Sequence, residues 1–367
     1  MKTTAAQLTE IGLAPPAWSG SPSAFPVPGP SDVLRDRYRG CLVAGAIGDA
    51  LGRPAEGRSA VQMWRRYEGG LREFQPWRGY RSGPVGTFTD DTQLTLVNAR
   101  WLAEAGSGEL DPDLLADAIE VWGRTGRGIG RATYEALANL SGGRRWWASG
   151  AASAGNGAAM RAAPYALRFA GRPDELRFAA ALGTVPTHAD LTAVASAIVQ
   201  ASAVNQCLAS RSGSLDPDQL LGSVVASVDD LDLPRLAHRG NGSRRSLAER
   251  IGEVKALLGA PVERVLGHFY NGAFVLETMP VVLWLLLTYA DDPEEGLVAA
   301  VMGGRDADTI AAILGNLLGA LHGVAAFPAR WRGENLEAHD ELLAWADRLY
   351  RLRWVPENDL EEGRDHE

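Results

Sequence analysis

Ile310, Ile313, Leu314, Leu317, Leu318 and Leu321 follow one another at helical spacing directly after Asp308-Thr309, and Gly315, Gly319 and Gly323 line a neighbouring slim face of the same segment. Apolar residues at such intervals make one stripe of an α-helix. Each helical Gly costs about 1 kcal/mol against Ala, so a glycine stripe makes sense where another backbone or a ligand must come close. A second segment has the same property. After the N-cap candidate Ser31-Asp32, Gly40, Ala44 and Gly48 are spaced by four and share a face, with Asp49 the only charge in the stretch Gly40–Gly52. Most other segments repeat the helical period, among them His268 to Tyr289 and a last helix holding Leu342, Trp345, Ala346 and Leu349, and no hairpin signal occurs. The predicted fold is therefore all-α, one compact domain over residues 31–355. Residues 1–30, rich in Pro, Ser and Gly from Pro15 onward, read as an extended tail, and residues 356–367 as an acidic, frayed one.

A chain of 367 residues, 46% of them hydrophobic, can bury a large core. Its net charge of −9 argues against a nucleic-acid partner. The pairs Arg65-Arg66, Arg144-Arg145 and Arg244-Arg245 read as solvated surface, and residues 228–262, with Gly240-Asn241-Gly242 between weak helices, as a solvent-facing excursion. Cys41 and Cys207, both in apolar helical contexts, suggest neither a disulfide framework nor a zinc site. No signal-peptide pattern opens the chain, and the apolar run Pro280 to Leu287 is too short to span a bilayer. The expectation is a soluble, cytoplasmic protein with no membrane partner.

Two acidic helix starts stand out. Thr89-Asp90-Asp91-Thr92 precedes Leu94, Val97 and Trp101 at i, i+3 and i+7, and Asp306-Ala307-Asp308-Thr309 precedes the stripe described first. Asp in a first turn is ordinary, because free N–H groups and a positive dipole end favour it. Adjacent carboxylates also repel, and two such sets could converge on hard cations that take oxygen ligands. Asp49 reads either as a buried cap or as part of a site, and Glu56 as a surface-loop carboxylate or a functional one. The loop Arg127-Gly128-Ile129-Gly130 serves equally well as a plain connection or as a close approach to a ligand. Residues 149–157 form a small-residue loop before Ala158-Ala159-Met160-Arg161, which as the opening of a helix would offer N–H groups to a phosphate. His188, at the start of another helix, is more often structural than a ligand. Trp64, Phe74, Trp77 and Tyr80 mark an aromatic loop of uncertain role.

Taken in order, Gly45-Ala46-Ile47-Gly48-Asp49-Ala50-Leu51-Gly52 with Glu56, Thr89-Asp90-Asp91-Thr92, Gly155-Asn156-Gly157-Ala158-Ala159-Met160-Arg161, Thr187-His188 and Asp306-Ala307-Asp308-Thr309 resemble the motifs of the ADP-ribosylglycohydrolase family. The resemblance spans roughly residues 35 to 325. It implies an orthogonal multi-helix bundle with a two-metal centre of Mg²⁺ or, in some members, Mn²⁺. It places Thr89, Asp90 and Asp91 on one metal, and Asp306, Asp308 and Thr309 on the other, with Asp308 as the bridge. Glu56 corresponds to a mobile glutamate and, with Asp90 and Asp91, is a candidate proton carrier. Asp49, Gly128, Ile129, Gly155, Asn156, Gly157, Met160, His188 and Arg305 become candidate contacts to ADP-ribose or an ADP-ribosylated substrate. Arg305 stands where many members have glycine, and an Arg there could meet a phosphate or carboxylate. The implied reaction is metal-assisted hydrolysis at the ribose C1″ through an oxocarbenium-like state. Two other readings fit: the same fold acting on a nucleoside or nucleotide derivative, and a non-catalytic binding or structural member.

Overall fold

The computed structural model describes residues 4–15, 26–77, 83–239 and 243–354. Among them are seventeen α-helices, six 3₁₀ turns and one two-stranded ribbon, so the all-α expectation holds.

The two glycine-striped segments are helices, Asp32–Gly52 and Ala307–His322, and they pack against each other. Gly40 faces Gly319, Ala44 faces Gly315, Gly48 faces Ala311 and Gly52 faces Asp308, so the pair is antiparallel. Contact is backbone to backbone. A Cβ added at Gly48 would fall 2.0 Å from the Ala311 carbonyl oxygen, and one at Gly315 would fall 2.1 Å from that of Ala44. Midway, the Asn316 Nδ2 donates across the pair to the Cys41 carbonyl at 2.7 Å. The functional result is positional. The C-terminal end of the first helix, leading to Asp49, Arg53 and Glu56, lies beside the N-terminal end of the second, which begins at Asp306 and Asp308.

Other helices enclose this pair. Leu191–Ala209 lies almost wholly in the core and donates from Gln200 Nε2 to the Ile313 carbonyl at 3.1 Å. It is long and apolar enough to cross a membrane, but 83% of that stretch is buried inside the protein, as befits a core helix. The last helix, His339–Trp354, is tied to the start of the Asp32 helix through Asp347. Arg35 and Arg39 each reach both oxygens of that carboxylate, at 2.9 and 2.6 Å and at 2.7 and 2.5 Å. Burial opposes ionisation of Asp347, but the two guanidiniums outweigh it and hold its pKa down to about 2.

Two sequence expectations need correction. The segment read as an extended tail contains a helix, Thr4–Glu10, and Leu8 and Leu13 are buried in the core; about two turns of helix are too short to announce themselves by period. The excursion at 228–262 is not simply solvent-facing. Leu236–Ala237 pairs antiparallel with Arg244–Arg245, and Leu247, Arg250 and Ile251 of the helix Leu247–Gly252 are buried. Tyr80, Gly240 to Gly242 and the acidic tail 356–367 lie outside the described residues.

Candidate metal and ligand site

The Asp90–Glu104 helix starts at an extended Thr89 whose own side chain does not cap it. The cap comes from Asp49 on the glycine-striped helix. Its carboxylate accepts from the Thr89 N–H at 3.0 Å, the Thr92 N–H at 3.0 Å, the Thr92 hydroxyl at 2.7 Å and the Thr89 hydroxyl at 2.8 Å. Those bonds satisfy the helix's free donors and fix it against Gly48–Gly52. Asp49 is fully buried and spent on this cap. It does not line the ligand cleft, which corrects its assignment as a ligand contact. Thr89 is also buried behind the cleft wall, its hydroxyl shared between Asp49 and Asp91 Oδ2 at 3.0 Å.

That arrangement delivers Asp90 and Asp91 to the floor of a cleft of about 710 Å³, where Glu56, Asp306, Asp308 and Thr309 meet them. Oxygens of Glu56, Asp306 and Asp308 lie within 4.8 Å of one another. Burial pushes the Asp90 carboxyl up to about 8, helped by the nearby Asp49, and the Asp306 carboxyl up to about 6. Burial, then repulsion from neighbouring carboxylates, carries Asp91 and Asp308 well above the usual range. Relief within the chain is slight. Arg53 pairs with Glu56 and reaches Asp308 Oδ2 at 3.3 Å, and Asn156 Nδ2 donates to Asp306 Oδ2 at 2.5 Å. The Asp91 Oδ1 is buried with no hydrogen-bond partner among the described residues. A crowded set of oxygens with an orphaned acceptor and too little positive charge fits a hard divalent cation.

The loop 149–157 forms one wall of the cleft, but it does not open a helix. It leads into a 3₁₀ turn, Ala159–Arg161, and its backbone is partly used in pairing with 273–275 through Asn156 N–H to Ala273 O at 2.9 Å and Val275 N–H to Ala154 O at 3.1 Å. The expected array of helix N–H groups is therefore absent there. Gly155, Asn156, Gly157 and Met160 line the cleft even so. Gly157 is required by its neighbour: a Cβ would fall 2.7 Å from His188 Cε1. Gly128, at φ +74°, also lines the cleft, and a Cβ there would fall 2.8 Å from Asp90 Oδ1. Ile129 does not line it; it faces a separate hollow with Gly123, Tyr134 and Leu137. Arg305 is turned away as well. It holds a left-handed backbone at φ 60°, where glycine is at ease, and its guanidinium stacks on Tyr270 at 3.8 Å. The expectation that it meets a substrate anion in the cleft is corrected. Arg131, Arg239 and Phe274 line the cleft without any motif to flag them, and Arg53 joins the acidic cluster unannounced by its Gly-Arg-Pro setting.

His188 is buried against Gly155 and Gly157, with burial and then the buried Arg161 pushing its pKa down to about 3. Arg161 Nη2 donates to the Thr187 hydroxyl at 2.6 Å. That hydroxyl's proton has two acceptors, His188 Nδ1 at 2.8 Å and the Thr184 carbonyl at 3.4 Å, and the shorter contact takes it. The assigned tautomer then carries its proton on Nε2, making His188 a neutral N–H donor on the cleft wall. Its imidazole nitrogens should accordingly show no titration between pH 5 and 8 by ¹⁵N NMR, with Nδ1 unprotonated. A midpoint near 6.5, or a proton on Nδ1, would contradict this network. Because the folded pKa is depressed below the unfolded value, this group's contribution to stability is present above about 6.5 and is lost as pH falls toward 3.

Comparison with known proteins yields one consistent answer. The family described as ADP-ribosylglycohydrolase matches residues 30–359. An uncharacterised protein of Archaeoglobus fulgidus is 30% identical over 321 residues, covering 87% of this chain and 97% of that protein. ADP-ribosylhydrolase ARH3 of Danio rerio is 26% identical over 362 residues, covering 91% and 95%, and that of Homo sapiens is 28% identical over 344 residues, covering 86% and 93%. A solved structure described as an ADP-ribosylglycohydrolase-related protein complex superposes with a TM-score of 0.68 at 28% identity, covering 88% of this chain and 100% of its own.

Proposed function

This chain belongs to the ADP-ribosylglycohydrolase family of glycosidases, and we propose that it hydrolyses the bond at the ribose C1″ of an ADP-ribosyl group with the help of two divalent cations, Mg²⁺ or Mn²⁺. The observation that carries the proposal is the acidic cluster: Asp90, Asp91, Asp306 and Asp308 in one cleft with Glu56 at its border, under-neutralised, with Asp91 Oδ1 lacking any partner among the described residues. Asp90, Asp91, Asp306, Asp308 and the Thr309 hydroxyl are the groups that would hold the ions, with the Thr89 hydroxyl behind them. Bound there, the ions supply positive charge for ribose hydroxyls and for an attacking water.

The chain's own groups divide the remaining work. Asn156 aims Asp306, and the Thr309 N–H aims Asp308 Oδ1 at 3.0 Å. His188 offers Nε2–H to an oxygen of the substrate. The small residues at 151–157 let the substrate lie against backbone. Glu56, exposed on the cleft's border and held ionised beside Arg53, takes the proton of water attacking C1″, while the leaving atom takes up a proton as its bond to C1″ breaks.

The deciding experiment is release of ADP-ribose from ADP-ribosylated protein with Mg²⁺, with Mn²⁺ and with chelator, alongside calorimetry of free ADP-ribose. Absence of binding with metal at millimolar ligand would put another ribosyl compound in the cleft; equal binding with chelator would detach the metals from the ligand. Glu56→Gln should fold and bind ADP-ribose as the parent does, since Glu56 lies on the surface, yet turn over about 100-fold more slowly, the low end for losing a general base. Parental kinetics in that variant would return Glu56 to a surface role.

A further inference from the structure

On the other side of Glu56 from the metal ligands lies a second hollow of about 480 Å³, walled by Arg53, Arg58, Arg66, Tyr67 and Trp77. Among the described residues Glu56 is the one side chain lining both this hollow and the acidic cleft. We propose that this hollow receives the leaving group and that its arginines select one bearing negative charge, as carboxylate or phosphate. The proposal rests on the hydrolase reading above and adds to it a substrate class.

Position gives the first argument. If the sugar is held over Asp90, Asp91, Asp306 and Asp308, and Glu56 borders the bond to be cut, then the group departing from C1″ lies beyond Glu56. Water adds its oxygen to C1″, the C1″–leaving-group bond breaks with its electron pair on the departing atom, and that atom takes up a proton, so no further reactant is required.

Charge gives the second. Three guanidiniums and one carboxylate line the hollow; Arg53 is already engaged by Glu56 and Asp308, which leaves Arg58 and Arg66 to meet a ligand. Arg58 and Arg66 make no ion pair among the described residues. Both are nevertheless held in place: Arg58 Nε donates to the Pro54 carbonyl at 3.0 Å, and Arg66 lies over Tyr67 at 5.5 Å with Nε donating to its hydroxyl at 3.0 Å. Arg53 sits over Trp77 at 4.9 Å. With only their Nε atoms engaged among the described residues, Arg58 and Arg66 keep their Nη groups for an oxyanion, which guanidiniums can grip with two parallel N–H bonds. A cationic leaving group would enter against like charge, a repulsive element that works as specificity.

The test uses the full-length protein with Mg²⁺. Its substrates are ADP-ribosyl peptides matched except for acidic, neutral or basic flanking residues, with ADP-ribose 1″-phosphate as a small anionic leaving group. We expect kcat/KM for an anionic leaving group to exceed that for the basic-flanked peptide at least tenfold. Whether the acidic peptide or the phosphate gains more identifies the source of the charge. Arg58→Gln combined with Arg66→Gln should abolish the advantage and leave the affinity for free ADP-ribose unchanged. Arg66→Gln alone, on an exposed helix end, should reduce it, and serves if the double variant melts early. Calorimetry of a Glu-rich peptide and of phosphate against the ADP-ribose complex supplies a readout independent of turnover. If ADP-ribose binds but neither anion binds to the complex, or if the basic-flanked peptide is preferred, or if the variants keep the anionic advantage, the proposal is overturned while the hydrolase reading stands. If ADP-ribose itself fails to bind, the reading of the cleft falls first.

Discussion

Asp308→Ala is expected to lose one or both bound cations and about 1,000-fold or more in turnover, the scale of several kcal/mol of lost charge stabilisation. Asp308 is buried at the first turn of the Ala307 helix, opposite Gly52 of its partner, and its oxygens lie within 4.8 Å of those of Glu56 and Asp306, at the centre of the cluster. Loss of activity alone would not separate a metal ligand from a structural acid; the metal-free protein does. Burial and the neighbouring Asp306 already push the Asp308 carboxyl well above its usual range, with only Arg53 and the Thr309 N–H pulling the other way. Removing it therefore relieves repulsion. Chelated Asp308→Ala should melt no lower than the chelated parent, and should gain far less on adding Mg²⁺, because stabilisation by a ligand follows its affinity. Elemental analysis and melting curves with and without chelator measure both. A variant with two ions and parental turnover would remove Asp308 from the centre.

The second large effect lies away from the cleft. Gly315→Ala should cost about 3 kcal/mol or more, even though alanine is favoured over glycine in helices by about 1 kcal/mol. The decisive quantity is the 2.1 Å separation between the added Cβ and the Ala44 carbonyl oxygen, which belongs to a helix backbone and cannot swing aside. The same substitution at Gly222 or Gly267, helical glycines with nothing within 4 Å of the added Cβ, should raise stability by up to about 1 kcal/mol. Urea denaturation of the three variants settles the sign at each site. Equal effects at all three would mean that the close approach does not govern stability. Gly315→Val should not fold.

The glycine stripes were legible because packing of this closeness excludes every other residue, so the sequence carries the geometry openly. The two acidic helix starts were legible for a related reason: paired carboxylates at a helix's first turn are conspicuous wherever they occur. That the two sets could converge followed from their charge, since crowded carboxylates need a cation; which residue would hold which ion came only through the family resemblance, since nothing local in either segment points to the other. Asp49 shows the limit. A lone Asp in an apolar helix looks the same whether it touches a ligand or caps a second helix, and only the tertiary contact with Thr89 and Thr92 decides. Arg53 and Arg239 fared worse, because a lone arginine at a helix end or in a turn carries no pattern at all. Arg305 did carry one, a departure from glycine, but its direction is set by Tyr270, which lies 35 positions away in sequence. The Thr4–Glu10 helix escaped notice because its buried Leu8 owes its place to distant core contacts.

Helices that touch through their main chains leave no side-chain layer in which to slide, so the spacing between the Gly52 end and the Asp308 end behaves as a fixed gauge. Drift in the core cannot retune the spacing of the acidic cluster a few tenths of an ångström at a time; it either keeps the gauge or breaks the fold. The wall beyond Glu56 is built instead from side chains of the segment 53–77, whose main chain is tied back to the second helix's approach by the Gly57 N–H to the Arg305 carbonyl at 2.7 Å. Natural variation and laboratory selection alike can therefore rewrite the exposed side chains of that wall, and on the proposal above the choice of leaving group with them, while the acidic cluster stays as it is. A library confined to Arg58, Arg66, Tyr67 and Gln75 is where a new specificity is cheapest to find.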